Sequence, residues 1–363
     1  MSVRILYLAT ADARGHLMRA QLLVHALRAA GAQVEVLTTS APGQAFLQRF
    51  GIQAQILSLH YAVQFDREQN MQRQATNRNV AHYLFRPGRM LRDMWHLGRR
   101  WRGVDLVIND SFHPALLYMG MLPGWRRKVV HVYGASLKRA LLNNFEGLWP
   151  QQFGRLFGWI VARQIDAARG RIEHDFAYDV DDAQAPALYR LPTPVAQAEA
   201  LPDALGADAA VYLNPHFRQP LLADALSAGL GDAGLHGHRV GEGYAGHDGW
   251  LGVDPHWASR AARARLMVSA PGMAALAIAR VYQRPIMLVL SDQPEQTSNA
   301  VRAAQLQVLH RVVTWRGDAV DFRRQVAQAA QQLSAAAPAP DVAAGNQRAR
   351  ARTDAWVSRL LGL

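Results

Sequence analysis

His16 and Asp110 are the residues of this 363-residue chain whose types and positions best suit proton transfer. His16 sits in the turn that follows Val3–Ala9, a short, nearly continuous apolar run. Such a run is how a strand buried on both faces of a parallel sheet reads. Ligands of open α/β sheets bind beyond the carboxyl ends of strands, so a histidine there is placed to meet one. Imidazole titrates in the range needed to take a proton from a hydroxyl. Asp110 closes a later apolar run, Val104 to Ile108, and so reaches the same edge. A carboxylate there can orient the imidazole and stabilise its protonated form. Each residue also has a plainer reading: His16 caps the following helix or lines a cleft, and Asp110 binds loop amides. His113 competes as Asp110's rival partner for His16 or as a ligand contact. A second candidate is Pro271-Gly272-Met273, a turn opening a helix, where free N–H groups and the helix dipole favour an anion and Gly272 permits close approach. The alternative is an ordinary tight turn.

The elements that must position these residues alternate. After the first strand, apolar residues recur at helical spacing from Leu17 to Ala30, and Gly31 stops the helix. Val34–Leu37 is the next strand, completing a strand–helix–strand unit. Further strands are expected at Ile52–Leu59, Val104–Ile108 and Val129–Val132. Pro186–Leu205, rich in proline and alanine, reads as an interdomain linker. A second alternation follows: strands at Ala209–Leu213, Arg265–Ser269 and Ile286–Leu290, with helices near Leu221–Leu230, Ala274–Tyr282, Asn299–Leu306 and Val320–Leu333. Ala335–Ala344 reads as a second connector and Arg348–Leu361 as a final amphipathic helix. Two α/β halves result. The expected boundaries are 1–190, 206–338 and 345–363.

Two stretches of this pattern resemble the GT-B glycosyltransferases, in the branch holding the UDP-glycosyltransferases and the N-acetylglucosaminyltransferase of the lipid-linked peptidoglycan precursor. One is Arg14-Gly-His-Leu-Met-Arg19, similar to the family's Gly-His-x-x-Arg or Gly-His-x-x-Pro turn. The other runs from Ala264 to Ala300 and includes Ala270-Pro-Gly-Met273, Gln283-Arg-Pro-Ile-Met-Leu-Val-Leu290 and Glu295-Gln-Thr-Ser-Asn-Ala300. The resemblance implies an α/β GT-B fold: two Rossmann-like domains facing a cleft, with the last helix returning to the first domain. It implies an enzyme that moves a sugar from a nucleotide-diphosphate sugar to an acceptor hydroxyl with inversion, using no tightly bound cofactor and no metal. His16 and Asp110 match the His–Asp pair of some members, and Arg14, Gly15 and His113 fall on the acceptor side. The donor's diphosphate falls at Pro271, Gly272 and Met273. Glu295 and Gln296, with Asn299 in the same segment, fall on the donor sugar. Their plainer reading is a helix-terminal acid and a surface amide. His216 stands where relatives carry a Gly-Ser phosphate turn, either replacing that contact or as a structural loop residue.

Two positions depart from the family pattern. Ala270 stands where members usually carry His or Ser, and Ile278 where they carry the Glu that holds the ribose. An apolar side chain cannot make that bidentate contact. Either the ribose is held otherwise, or the donor is not a uridine nucleotide, or donor binding is degraded and the chain is a non-catalytic accessory protein. A sugar-nucleotide epimerase on the same fold is a further alternative. Gly241-Glu-Gly-Tyr-Ala-Gly246 spells a dinucleotide motif, but no preceding strand is evident and a poor helix start follows. Histidines 236, 238, 247 and 256 match no standard zinc spacing.

Composition narrows the partners. Lys+Arg 40 against Asp+Glu 28 gives +12, which favours an anionic partner. No helix-turn-helix, RNP or zinc-finger signature points to nucleic acid. Cysteine is absent, which excludes disulfides and thiol catalysis. No signal peptide and no run of about 18 apolar residues is evident, so a cytoplasmic protein is expected. Residues 86–102 interleave Arg with Trp, Met and Leu. That suits either a helix at an anionic membrane's inner face, with a lipid-linked or envelope-glycan precursor as acceptor, or a core helix with a solvated Arg face.

Overall fold

A computed structural model describes residues 2–10, 14–58, 87–135, 151–182, 188–201, 208–215, 217–291 and 294–363. They form two α/β units. The described residues up to Pro194, together with Arg352–Leu363, make the first, and Val195–Ala351 make the second.

The first unit runs β1 (Arg4–Ala9), α1 (Arg14–Ala29), β2 (Gln33–Thr38), α2 (Ala41–Arg49), β3 (Ala54–Ile56), α3 (Pro87–Trp101), β4 (Leu106–Asp110), α4 (Pro114–Met121), β5 (Val129–Gly134), α5 (Gln151–Ala167), β6 (Gly170–Asp175) and β7 (Leu188–Pro192). Its sheet is parallel throughout, in the order β3-β2-β1-β4-β5-β6-β7. Ile5, Tyr7 and Ala9 face α1 and α2 on one side, and Leu6 and Leu8 face α3 and α4 on the other. That two-sided burial is why β1 lacks alternation. Gly31, at φ +87°, takes the left-handed turn that ends α1.

The second unit runs β8 (Ala209–Leu213), α6 (Pro220–Asp232), β9 (Gly237–Gly241), β10 (Trp250–Leu251), α7 (Trp257–Arg263), β11 (Leu266–Ser269), α8 (Met273–Tyr282), β12 (Ile286–Leu290), α9 (Pro294–Gln305), β13 (His310–Thr314), α10 (Ala319–Ala335) and α11 (Val342–Leu361). Its sheet, also parallel, has the order β10-β9-β8-β11-β12-β13. The end of α11 belongs to the first unit: Trp356 and Leu360 lie in its core, and Trp356 Nε1 donates to Pro192 O at 2.8 Å.

Both sheets therefore reverse direction once, between β1 and β4 and between β8 and β11. These are the topological switch points at which doubly wound sheets bind ligands. The expected linker is shorter than 186–205, because Leu188–Pro192 is β7. As an edge strand it tolerates a terminal proline. The expected third strand contracts to Ala54–Ile56. A strand, β9, does precede Glu242, contrary to the sequence reading. A short 3-10 turn and no α-helix follows it, so the helix a dinucleotide site needs is still missing.

Candidate active site

His16 is the third residue of α1 and not part of the preceding turn. It is half-buried at the carboxyl edge beside β1, with Nδ1 3.3 Å from Thr10 Oγ1. Nε2 has no hydrogen-bond partner among the described residues. Burial, reinforced by the positive charge of Arg19 and opposed by Asp110, pushes its pKa down to about 4. The ring is therefore neutral at pH 7 and open to a proton, but a weaker base than an ordinary imidazole, below the range expected from the sequence.

Asp110 ends β4 directly opposite Ala9 in the parallel register. Its hydrogen bonds go elsewhere than to His16. Oδ2 accepts from Tyr7 Oη at 2.7 Å and from Arg19 Nε at 3.1 Å; Oδ1 accepts from Arg19 Nη2 and, at 3.0 Å, from Ser111 Oγ. Arg19 lies on the inward face of α1, one turn after His16, and is only 5% exposed. Its Nη1 donates to Nε2 of His174 on β6, whose Nδ1 is 3.0 Å from Thr193 Oγ1. An acceptor Nε2 makes Nδ1 the protonated nitrogen of a neutral ring. Burial and the Arg19 charge hold the His174 pKa well below its ordinary value. Burial lowers the pKa of Arg19, but the charge and hydrogen bonds of Asp110 outweigh it and the net shift is upward. Asp110 thus reaches His16 through space, while its contacts fix Arg19.

Tyr7 and His174 are residues of this network that sequence reading missed. Arg19 entered that reading only as the last residue of the Arg14–Arg19 turn, with no role, and its helical phase, which places a cation among buried positions, was the further signal. Backbone strain follows immediately: Ser111 and Phe112 have φ of +72° and +65°, and the Phe112 ring stacks on Tyr133 at 4.7 Å. Arg14 opens α1 with its guanidinium 5.1 Å from the Phe46 ring centre. Gly15 is exposed and helical, and a Cβ there would meet nothing within 4 Å. It needs no glycine for its backbone. His113 is fully buried behind this edge, 3.9 Å from Asp93 Oδ2, and burial pushes its pKa down to about 3. It forms part of the wall beneath the site and not its surface.

In the second unit the β11 switch point carries Pro271, Gly272 and Met273. Gly272 is the exposed N-cap of α8 and makes no side-chain cap, so the first turn points its N–H groups outward. Asn299, buried on α9, donates from Nδ2 to Pro271 O at 3.0 Å and ties that helix to the turn. Gln296 Oε1 accepts from Ser291 N and Oγ, each at 3.3 Å. Glu295 lies in α9, but its side chain is outside the described residues, as is the whole of His216. Ala270 is buried and Ile278 half-buried.

Among the described residues no group of three His, Asp or Glu could hold a metal ion. His238 and His247 each pair with one carboxylate, Asp254 and Asp224, at 2.7 Å.

No protein-family model and no curated protein matches the sequence. Solved structures match over the full length. A UDP-glucosyltransferase from Polygonum tinctorium aligns at TM-score 0.63 and 12% identity, covering 100% of this chain and 99% of its own. CalG4, the calicheamicin glycosyltransferase, aligns at 0.62 and 17%, covering 99% and 94%. The spinosyn rhamnosyltransferase SpnG complexed with thymidine diphosphate aligns at 0.58 and 17%, covering 99% and 100%. The chain has the α/β fold of the GT-B glycosyltransferases.

Proposed function

We propose that this chain is an inverting glycosyltransferase that moves a sugar from a nucleotide-diphosphate donor to an acceptor hydroxyl. Fold alone does not decide activity. The observation that carries the reading is chemical: one switch point bears a neutral half-buried imidazole, the other an uncapped helix N-terminus. A base and an anion site are the two groups that glycosyl transfer from a diphosphate requires.

On this reading His16 Nε2 takes the acceptor proton while Nδ1–H is held by Thr10. The acceptor oxygen forms its bond to the anomeric carbon as the bond to the diphosphate oxygen breaks. The α8 N–H groups after Gly272 stabilise the charge that develops on the leaving group. Asp110 favours the imidazolium through space and partly offsets the larger opposing charge of Arg19, whose hydrogen bonds hold that carboxylate in place. Gln296 and Asn299 shape the donor side, with Glu295 and His216 as further donor contacts. Arg14 and Gly15 border the acceptor. An acceptor carried at an anionic membrane and met through residues 86–102 is supported by the exposed Arg89, Arg92, Arg99 and Arg102 on or beside α3, which also suit the solvated face of a core helix.

Ile278 and Ala270 favour one second reading, an accessory protein whose donor site is degraded. A thermal-shift panel of UDP, dTDP, GDP, ADP and CMP separates the two. A nucleotide at about 100 times its Kd adds roughly 2.7 kcal/mol, a visible rise in Tm. Turnover of the matching nucleotide-sugar, lost in His16→Ala, is the result expected of the transferase. No shift with any nucleotide, and no donor turnover, overturns it in favour of the accessory protein.

A further inference from the structure

We propose that Arg126, Arg127 and Arg169 form a binding site for a soluble polyphosphate anion at the amino edge of the first sheet. The site stands apart from the transferase reading and does not depend on it.

Its position separates it from the candidate base. Arg126 and Arg127 lie in the connection from α4 to β5, and Arg169 in the connection from α5 to β6. Both connections enter their strands at the amino end of a parallel sheet. His16 and Asp110 stand at the carboxyl edge of that sheet. A strand of five or six residues spans about 17–20 Å, so one small ligand does not reach both edges.

The backbone gathers the three arginines. Trp125 N and Arg126 N both donate to Leu122 O at 2.9 Å, which closes the turn after α4. Arg169 N donates to Arg126 O at 3.1 Å and to Val129 O at 3.0 Å. Arg169 Nη1 donates to Arg127 O at 3.1 Å. The two connections are thus tied into one piece. They enclose an open recess of about 500 Å³, walled by the three arginines and by Ala167 and Ala168. The alanines are too short to fill it.

Charge identifies the ligand. Lys128 shows what a structural cation does here: its Nζ donates to Trp101 O at 3.0 Å and Val104 O at 2.6 Å, at the carboxyl end of α3. Arg126 and Arg127 have no such role. Both are exposed, and neither guanidinium donates to a group among the described residues. Ala167 ends α5, yet the one side-chain bond of the three arginines goes to Arg127 O and not to that helix. Acids close by in the chain are engaged: Asp166 pairs with Arg171, and Asp105 accepts from Arg4 N at 2.8 Å. Like charges around one recess repel until an anion enters. Guanidinium forks match phosphate oxygens two at a time. Three forks offer more N–H groups than one phosphate accepts, and the recess is several times the size of one. A linked row of phosphates fits both. A nucleic-acid strand fits less well, because Trp125 stacks towards Trp101, 5.6 Å between ring centres, and is not a wall of the recess.

The test is calorimetric titration of the full chain with orthophosphate, pyrophosphate and tripolyphosphate at about 0.15 M salt. Binding is expected to tighten in that order. Arg126→Gln with Arg127→Gln should weaken tripolyphosphate by about tenfold or more, and Arg169→Gln severalfold. Unchanged circular dichroism and Tm show that these exposed substitutions leave the fold intact. The Gly272 turn is the other place proposed for a diphosphate on this chain, so the double variant should keep any nucleotide-induced rise in Tm. A rise lost with the arginines overturns a separate site. No binding of tripolyphosphate overturns the proposal, as does binding that the double variant leaves untouched. Flotation with anionic vesicles that the double variant abolishes, in a chain that binds no free tripolyphosphate, overturns it in favour of a lipid headgroup. Absence of any nucleotide-induced rise in the unaltered chain counts against the transferase reading alone, so the two failures are told apart.

Discussion

Arg19 grips both carboxylate oxygens of Asp110, Nε to Oδ2 at 3.1 Å and Nη2 to Oδ1, with the two side chains 5% and 0% exposed. A buried pair is costly to break from one side, because the remaining charge has neither water nor partner. Arg19→Met or Asp110→Ala should each cost about 3–5 kcal/mol. Urea denaturation measures this. A loss below about 1 kcal/mol would mean that the pair does not form as described.

Histidines 113, 131 and 174 make stability pH-dependent. All three are buried and neutral; burial brings His113 and His131 to about 3 and His174 well below its ordinary value. The unfolded chain takes up these protons near pH 6.5, the folded one only at much lower pH. Between the two, the unfolded state holds more protons, so stability is complete above about 6.5 and falls as the pH drops. Each histidine contributes a slope of up to about 1.4 kcal/mol per pH unit. Urea midpoints measured from about pH 8 to 4.5 should be flat and then fall steeply. A flat profile throughout would contradict neutral burial.

The same argument applied to His16 concerns activity. With its pKa near 4, the free base persists well below neutrality. If His16 is the base, the acid limb of kcat/KM should lie near 4 and not near 6.5, in short assays on protein shown to be folded. A limb near 6.5 would assign the proton transfer to another group.

Asn299 secures the Pro271 carbonyl from a different helix. Asn299→Leu leaves that acceptor buried without its donor, at about 1–3 kcal/mol. The turn that presents Gly272 loosens with it. Tm should fall, and the Kd of whichever nucleotide binds should rise severalfold, by calorimetry. A lowered Tm with unchanged nucleotide affinity would separate this turn from the donor site.

At Gly229 the backbone of α6 packs directly against α10. A Cβ there would lie 2.7 Å from Arg323 O and 2.8 Å from Val326 Cβ. Backbone cannot give way as a side-chain tip can, so Gly229→Ala should destabilise by about 1–3 kcal/mol in denaturant titration. A neutral substitution would show that the helices are farther apart.

Sequence alone determined the elements whose burial is uniform. β1, β4, β8, β11 and β12 are covered on both faces, so each left a continuous apolar run that could be read without a partner. The helices declared themselves by spacing and by stops such as Gly31. Since the switch-point strands are among these elements, His16, Asp110 and Gly272 could be placed at strand edges before any coordinates. Strands at or next to a sheet edge were harder to read: β3 was legible only with longer bounds, β7 ends in proline, β13 begins with His310 and Arg311, and β6, beside the edge strand β7, mixes Arg171, Glu173 and His174 with its apolar residues. Tertiary structure alone decided which charges meet. Arg19 finds Asp110 91 residues away and His174 155 away because β1, β4, β5 and β6 lie side by side. It also decided that α3 and α5, separated by some fifty residues of chain, present one face, because both cover the same side of one sheet. A pattern read along the chain reports what one element buries. It carries no record of which distant side chain fills the other half of a hydrogen bond, since that depends on strand order and register.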